Sequence, residues 1–164
     1  MFTLTRVLTG GDADAEDLVQ DTFVRAFRAL PRFRGESSFR TWLHRIAVNV
    51  IRSHMVRRGR RLETAAVRDS GEDSHSLFER VPSEEDLEAT VTRRQMIDRA
   101  LATLSDDVRL LVTLRDVQGL EYQEIAAITG LPIGTVESRI FRARQRLRPL
   151  LAPLMSQPAG HAKA

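Results

Sequence analysis

The chain has 164 residues, of which 42% are hydrophobic and 29% charged, and its formal net charge is +3 at pH 7; these values are ordinary for a globular protein. It contains no cysteine, which excludes a disulfide framework and a thiolate zinc site. No apolar run approaches the roughly 20 residues that cross a membrane, and the N-terminus lacks a signal-peptide pattern, so we expect a cytoplasmic protein.

Charge is unevenly distributed along the chain. Arginine-rich blocks lie within residues 52–61 and 139–148, whereas residues 69–88 hold eight acids and a single base. Lys163 is the only lysine. Because arginine binds phosphate in bidentate fashion and stacks on bases, this bias suits a nucleic-acid partner. A high-GC genome, which favours arginine codons, would produce the same bias.

The first two predicted helices lie before Pro31. Residues 1–8 look like the last turns of a helix whose earlier part is absent, and the Gly10–Gly11 pair ends it. The next helix begins near Asp12 or Asp14 and stops at Pro31. Helical spacing predicts its buried face at Leu18, Val19, Phe23, Ala26, Phe27 and Leu30. Its acids could in principle hold a metal, but no partner converges on them, so helix capping or a protein-binding face fits better.

Residues 33–39 predict a loop, since they lack periodicity and contain a glycine and two serines. Phe33 and Phe39 both lie in this loop, although only 5% of the chain is aromatic. Two interpretations stay open. The rings could anchor the loop from beneath, or the loop could offer ring faces, guanidinium groups and small donors to unstacked bases.

A third helix follows from Ser38 or Thr41 and runs into the arginine block that ends at residue 61. Its apolar stripe consists of Trp42, Leu43, Ile46, Ala47, Val50 and Ile51. Trp42 stands where a core tryptophan would, and a partly exposed tryptophan could also stack on a base. Residues 62–83 show no sustained periodicity and predict a flexible, acidic linker.

Helical periodicity returns at Glu84 and continues to Leu104, with Val91, Met96, Ile97, Ala100, Leu101 and Leu104 on one side. Ser105 is then expected to cap a further helix. That helix buries Leu110, Leu111, Leu114 and Val117 and stops at Gly119.

The stretch from Gly119 to Arg148 predicts two helices joined by a tight turn. Gly130 suits the end of the first helix and Pro132 the start of the second. Val136, Ile140, Ala143 and Leu147 form the buried stripe of the second helix, and its outer part carries five arginines without an acid between Arg139 and Arg148. This is the geometry that places a recognition helix in the DNA major groove. A solvated helical hairpin is the alternative.

No segment shows strand alternation, so we predict an all-α protein of two small helical domains joined by a flexible acidic linker. The predicted boundaries are 1–61 for the first domain, 62–88 for the linker, 89–152 for the second domain and 153–164 for a frayed tail.

Both ends together resemble the extracytoplasmic-function (ECF) class of bacterial RNA polymerase sigma factors, with the sigma-E type as the nearest likeness. The segments DAEDLVQDTFVRAFRAL and RFRGESSFRTWLHRIAVNV resemble sigma region 2. The segment LSDDVRLLVTLRDVQGLEYQEIAAITGLPIGTVESRIFRARQRLR resembles region 4 and its helix-turn-helix. The likeness covers roughly three quarters of the chain. It is specific because both regions occur, in order and with this spacing.

The resemblance implies three sets of site residues. The set expected to bind core polymerase is Asp17, Gln20 and Asp21. The set expected to open the −10 element and hold an extruded base is Phe33, Arg34, Ser37, Ser38, Phe39, Arg40, Trp42 and Asn49. The set expected to recognise the −35 element is Thr135, Glu137, Ser138, Arg139, Phe141 and Arg142. The arginines from Arg52 to Arg61 are expected to contact the strand backbone.

The implied function is transcription initiation, in a stress-response regulon, by a subunit that binds core RNA polymerase and promoter DNA. The resemblance also implies a membrane-anchored anti-sigma factor. We expect no catalytic residue, metal, cofactor or small-molecule substrate, since no acid–base pair, nucleophile or metal cluster is apparent. Family members have more chain before region 2, so the short N-terminus leaves open an inactive truncated sigma factor. Two further alternatives are a helix-turn-helix regulator acting without core polymerase and a phosphohydrolase binding Mg²⁺ at Asp12–Asp21.

Overall fold

The computed structural model describes the backbone of residues 1–10, 12–65 and 84–155. Most of the predicted linker (66–83) and most of the predicted tail (156–164) therefore lie outside the described residues. Within the described ranges every regular element is helical, so the predicted all-α class is confirmed. The α-helices are α1 (Phe2–Thr9), α2 (Asp12–Ala29), α3 (Phe39–Ala65), α4 (Glu84–Ala102), α5 (Asp106–Val112), α6 (Tyr122–Thr129) and α7 (Ile133–Met155). A 3₁₀ turn (Leu30–Arg32) follows α2, and a π turn (Thr113–Val117) follows α5.

Helix boundaries follow the local chemistry at most of the predicted points. Gly10 and Gly130 end α1 and α6 with φ of 75°, a left-handed conformation that glycine adopts without steric cost. Glu121 caps α6 through a reciprocal capping box with Glu124. Ser105 does stand at the N-cap of α5, but its side chain makes no capping hydrogen bond.

The predicted buried face of α2 was partly wrong. Phe23, Phe27 and Leu30 are exposed, and Phe27 reaches 79%. The face that packs against α1 and α3 instead consists of small or compact residues, namely Ala15, Leu18, Thr22 and Ala26. Thr22 can be buried because its hydroxyl donates to the Leu18 carbonyl at 2.6 Å, so no polar group is left unpaired. The large rings therefore face outward.

The prediction that Val117 is buried was also wrong, because the chain forms a π turn at this point. In this turn the Gln118 amide donates to the Thr113 carbonyl, five residues back, at 2.9 Å. The extra residue rotates the chain, so that Val117 is exposed while Thr113 and Leu114 are buried. Ile97 of α4 is likewise more exposed than its spacing predicts.

The two helical units share one hydrophobic core. Leu4 and Leu8 of α1 and Val48 and Ile51 of α3 belong to the same buried cluster as residues of α5, α6 and α7. The residues from the second unit are Leu110, Leu111, Leu114, Leu120, Ile125, Ile128, Val136 and Ile140. Helix α3 packs on α6, while α1 packs on α5 and the π turn. The units thus form a single closed body.

A second cluster holds the end of the chain in place. Ala100, Leu101 and Leu104 pack with Val112, Ala143 and Leu147, and Leu151 packs against them. Helix α7 continues past Pro149 and Pro153 to Met155. Residues 153–155, predicted as the start of a frayed tail, are therefore helical.

In the part of the chain that the structure describes, no helix combines the length and the hydropathy that crossing a bilayer would need.

Candidate nucleic-acid interface

Three aromatic rings cluster at the N-terminal end of α3. The Phe33 ring centroid lies 5.9 Å from that of Phe39 and 5.1 Å from that of Trp42, and the Phe39 and Trp42 rings lie 5.5 Å apart. These are the separations at which aromatic pairs attract one another. Phe39 is 52% exposed and Trp42 half-buried, so ring faces remain available at the surface. The rings therefore do not act as anchors in the core.

A cavity of about 400 Å³ opens beside these rings. Its lining consists of Arg32, Phe33, Arg34, Glu36, Ser37, Trp42 and Arg45. The volume falls in the range of small-molecule sites. Three guanidinium groups oppose one carboxylate, so the cavity carries positive charge. It combines aromatic surface, hydroxyl and guanidinium donors, which is the chemistry that binds an unstacked base and its phosphate.

The exposed face of α3 continues away from the cavity. Arg45 lies one turn beyond Trp42, and Asn49 lies one further turn along, with its side chain exposed. On the opposite side of α3, Ala47, Val48, Val50 and Ile51 are buried. A single-stranded segment leaving the cavity would therefore meet polar side chains along this helix.

Helix α7 presents a second polar surface. Val136 and Ile140 are fully buried, which fixes the rotation of the helix about its axis. Ser138, Phe141 and Arg142 consequently point outward. The Arg142 side chain donates to the Ser138 carbonyl at 3.2 Å, and the Ser138 hydroxyl donates to the Thr135 carbonyl at 3.2 Å. These contacts hold the polar groups on the outer face of the helix that follows a tight turn.

One arginine of α7 is neutralised from outside the helix. Arg144 forms a salt bridge with Asp116 of the π turn, and the hydrogen bond to Asp116 raises the pKa of Arg144. The sequence has no acid between Arg139 and Arg148, but tertiary packing supplies Asp116. The basic character of the outer face therefore comes from the other arginines of the helix.

A third surface lies on α2. Asp17, Gln20 and Asp21 share one face with Val24 and Phe27, because these residues recur at three- and four-residue spacing. Arg25 donates to Asp21 at 2.8 Å, and that hydrogen bond raises the pKa of Arg25. The face is acidic at one end and apolar at the other.

Asp14, near the start of α2, makes structural contacts. The Asp14 carboxylate lies 3.5 Å from the Arg58 guanidinium and 3.6 Å from the His54 imidazole, so it ties α2 to α3. Among the described residues, no three histidine, aspartate or glutamate side chains converge to hold a metal ion.

Two family models match the chain, and they match the two helical units. The model "Sigma-70 region 2" matches residues 2–61, and "Sigma-70, region 4" matches residues 94–147. The chain is 41% identical over 145 residues to the ECF RNA polymerase sigma-E factor of Escherichia coli, covering 87% of this chain and 76% of that protein. It is an ECF sigma factor. Its function is to direct RNA polymerase to promoter DNA in transcription initiation.

Other relatives agree with this family. The RNA polymerase sigma-H factor of Pseudomonas aeruginosa is 40% identical over 153 residues, covering 88% of this sigma factor and 76% of that one. In solved structures, the sigma factor RpoE bound to the anti-sigma factor NepR from Bartonella quintana matches with a TM-score of 0.74 and 33% identity, over 92% of this chain and 89% of that chain. CnrH in complex with the cytosolic domain of CnrY matches with a TM-score of 0.61 and 31% identity, over 93% and 80%.

The region 2 match makes an isolated helix-turn-helix regulator the wrong interpretation of this sigma factor. Of the residues expected at the −10 element, the structure brings Phe33, Arg34, Ser37 and Trp42 together in the cavity lining. Phe39 packs on their rings and Asn49 lies farther along α3.

Ser38 and Arg40 do not join this group. The Ser38 side chain lies 2.8 Å from the Thr41 hydroxyl, and Arg40 donates to the Gln118 carbonyl. Ser38 therefore caps the start of α3, since its hydroxyl also accepts the Thr41 amide, whereas Arg40 contacts the second unit of the sigma factor. The physical reason is helical rotation: Arg40 and Thr41 lie on the side of α3 that packs on α6.

Two arginines of the cavity, Arg32 and Arg45, were not among the predicted site residues. The signal for Arg45 was available, because it stands three residues after Trp42 and therefore on the same helical face. Arg32 belongs to the 3₁₀ turn after Pro31, whose direction spacing alone does not reveal. Val24 was missed because the large apolar residues near it were assigned to the core.

Proposed function

We propose that the cavity beside Phe33, Phe39 and Trp42 is where this sigma factor holds an extruded base of the −10 element. One observation supports this most strongly: the Phe33 and Trp42 rings line a positively charged cavity of about 400 Å³, and the exposed Phe39 ring packs on both of them. Opening a duplex unstacks a base at a cost of a few kcal/mol, which ring stacking offsets. Asn49 and the arginines of α3 then contact the same strand.

The outer face of α7 is proposed to recognise the −35 element. Thr135, Glu137, Ser138, Arg139, Phe141 and Arg142 form this surface in our assignment. A recognition helix inserts its outward side chains into the major groove, and the preceding helix crosses the backbone. The assignment rests on the rotation of α7, which the buried Val136 and Ile140 fix.

Substitution of two neighbouring arginines distinguishes a direct DNA contact from a general effect of positive charge. We expect Arg142→Ala to weaken binding to a −35 duplex by about 1–3 kcal/mol, the value for a base-reading arginine. Arg144→Ala should have a much smaller effect, since Asp116 already pairs with that guanidinium. Fluorescence anisotropy of holoenzyme on labelled promoter duplex, over a salt series, measures both. Equal losses for the two variants would contradict the assignment.

The mixed face of α2 is proposed to dock on core polymerase, with Asp17, Gln20 and Asp21 as its polar part. We add Val24 and Phe27 as its apolar part, because both are exposed and exposed apolar side chains beside charges are typical of interfaces.

Phe27→Ala should reduce affinity for core polymerase about tenfold, because truncating a central interface ring typically removes at least 1 kcal/mol. Leu150→Ala on α7, an exposed apolar residue far along the chain, is the control and should leave affinity unchanged. Surface plasmon resonance with immobilised core polymerase measures both. An unaltered affinity for Phe27→Ala would remove this face from the docking surface.

The division of the chain into residues 1–61, 62–88, 89–152 and 153–164 also stays a proposal. Helices α3 and α4 extend into the proposed linker, to Ala65 and from Glu84. We further infer a role in a stress-response regulon, a cytoplasmic location and no catalytic activity of the chain itself. A membrane-anchored anti-sigma factor is proposed as a partner, by analogy with the relative solved in complex with the anti-sigma factor NepR.

Run-off transcription with purified core polymerase on an envelope-stress promoter tests the proposed function. A specific transcript should appear with the wild-type chain and disappear with Asn49→Ala. Retention of the transcript with Asn49→Ala would argue against the −10 assignment. Absence of any transcript, together with no binding to core, would contradict the proposed function.

A further inference from the structure

Helix α7 contains a single acidic residue, Glu137, and five arginines follow it in the same helix. Glu137 is the fifth residue of α7 and so lies within its first two turns. In helix-turn-helix proteins, the N-terminal residues of the recognition helix are those that contact base edges. A carboxylate therefore stands where DNA, which is a polyanion, would approach.

The orientation of Glu137 follows from its buried neighbours. Val136 and Ile140 are both 0% exposed and define the inner side of α7. Glu137 is exposed and lies one turn before Phe141, which is 63% exposed. Because residues four apart are neighbours on a helix surface, these two side chains share one ridge. The carboxylate consequently belongs to the outer face that we propose for the −35 element.

Glu137 has no partner among the described residues of the protein, in contrast to the other acids of region 4. The positions three and four residues away hold Ile133, Gly134, Ile140 and Phe141, so no basic side chain stands at pairing distance along the helix. Within residues 94–147, all of which the structure describes, every other acid forms a salt bridge or a side-chain hydrogen bond; these acids are Asp98, Asp106, Asp107, Asp116, Glu121 and Glu124. The Glu137 carboxylate is therefore free for a partner outside the chain.

An ionised carboxylate can only accept hydrogen bonds, which limits the bases that it can recognise. In the major groove, cytosine presents an N4 amino donor and adenine an N6 amino donor, whereas guanine and thymine present acceptors. Adenine also places its N7 acceptor beside the amino group, where it would repel the second carboxylate oxygen. Cytosine has no acceptor at that edge. Cytosine is therefore the base that a glutamate side chain suits best.

We infer that Glu137 selects a cytosine in the −35 element by accepting a hydrogen bond from its N4 amino group. The inference rests on the proposed function, in which the outer face of α7 enters the major groove. The same carboxylate repels phosphate, so it weakens binding to duplexes that lack the matching cytosine. Since specificity is a difference between affinities, Glu137 contributes to discrimination more than to affinity.

Selection from a randomised −35 segment tests the inference, because it requires no known consensus. Holoenzyme binds duplexes that keep the rest of an envelope-stress promoter, and the bound fraction is sequenced. With the wild-type chain, cytosine should be enriched about tenfold at one position, a discrimination typical of a base-reading side chain. With Glu137→Ala, that enrichment should fall to about twofold or less, while the preferences at the other positions persist.

Glu137→Gln gives a sharper result, because it keeps the length and shape of the side chain. Its amide can accept from one base atom and donate to another, which matches the N7 and N6 atoms of adenine. The base preferred at the same position should therefore change from cytosine to adenine. Fluorescence anisotropy of holoenzyme on two duplexes that differ only in this base pair checks the change, since the order of the two affinities should invert.

Asp107→Asn is the matched control for Glu137→Gln. Both substitutions remove one negative charge from region 4 by converting an acid to its amide. Asp107 lies in the first turn of α5, outside the recognition helix, and its side chain is 70% exposed. All base preferences should stay as in the wild type for this variant, so a change shared by both variants would be an effect of charge alone. Circular dichroism confirms that each variant folds.

Wild-type base preferences in both Glu137 variants would overturn the inference. A wild-type preference for adenine, guanine or thymine at the affected position would also overturn it, as would equal changes in Asp107→Asn. Failure of the proposed function has a different signature, because Arg142→Ala would then leave every −35 preference intact or no sequence would be enriched at all. If only the inference fails, the defect of Arg142→Ala remains.

Discussion

Trp42→Ala should lower run-off transcription from a fully double-stranded promoter about ten- to hundredfold, since loss of one aromatic–base stack costs about 1–3 kcal/mol. Trp42 contacts both Phe33 and Phe39 and also lines the cavity. Its removal therefore deletes a stacking surface and loosens the other two rings. Binding to core polymerase should persist, because the proposed docking face lies on α2.

A template with a pre-melted −10 segment distinguishes melting from binding. On that template the Trp42→Ala protein should recover most of its transcription, since the unstacking cost has already been met. Trp42→Phe, which keeps a ring, should lie between the two on duplex promoter. An equal defect on duplex and pre-melted templates would mean that Trp42 supports the fold rather than base extrusion.

Leu114→Ala should lower the free energy of unfolding by about 2–5 kcal/mol, as expected for a fully buried leucine. Leu114 lies in the cluster that contains side chains of both units. The cavity left by the substitution therefore weakens region 4 and the junction together. Urea unfolding followed by circular dichroism measures the change.

Leu150→Ala is the control for this substitution. The side chain is the same, but it is exposed on α7, so its loss should change stability by no more than about 0.5 kcal/mol. If the two variants had equal stability, Leu114 would not be part of a cooperative core. A biphasic unfolding curve for Leu114→Ala alone would show that the two units unfold separately.

Most helix ends, and the buried face of α7, could be predicted from local chemistry. Pro31, Gly10, Gly119 and Gly130 ended elements where their backbone preferences require it, and the apolar spacing of α7 placed Val136 and Ile140 correctly in the core. These features depend on a few neighbouring residues. Sequence periodicity records them fully, and tertiary packing did not override them.

The errors arose where packing decides between two possible faces. Helix α2 turns Phe23 and Phe27 outward because the close approach to α1 and α3 selects small residues for the inner face. Val117 moved outward because the π turn adds a residue to its turn. A prediction from apolar periodicity assumes that each helix is regular and that its largest apolar residues are buried. It therefore cannot predict the outward rings of α2 or the π turn before Gln118.

The candidate site also combines features that local sequence predicts with features that long-range packing decides. The rings and serine of the 33–42 segment are close in sequence, so their gathering around one cavity follows from local chain direction. The side chain of Arg40 is set instead by Gln118, which lies 78 residues away along the chain. Long-range contacts of this kind leave no mark in a single sequence. They explain why the contact of Arg40 with Gln118 was not predicted, and the role of Arg40 at the −10 element stays a prediction.

The two oxygens of the Glu124 carboxylate accept different hydrogen bonds. Oε2 accepts the Glu121 amide at 2.9 Å and thereby caps α6, while Oε1 accepts the Thr41 hydroxyl. Losing Thr41 consequently leaves the cap intact, and the first helix of the helix-turn-helix remains fully formed. Helix α6 of region 4 is then already ordered before DNA binds. No free energy of binding is therefore lost to ordering that helix.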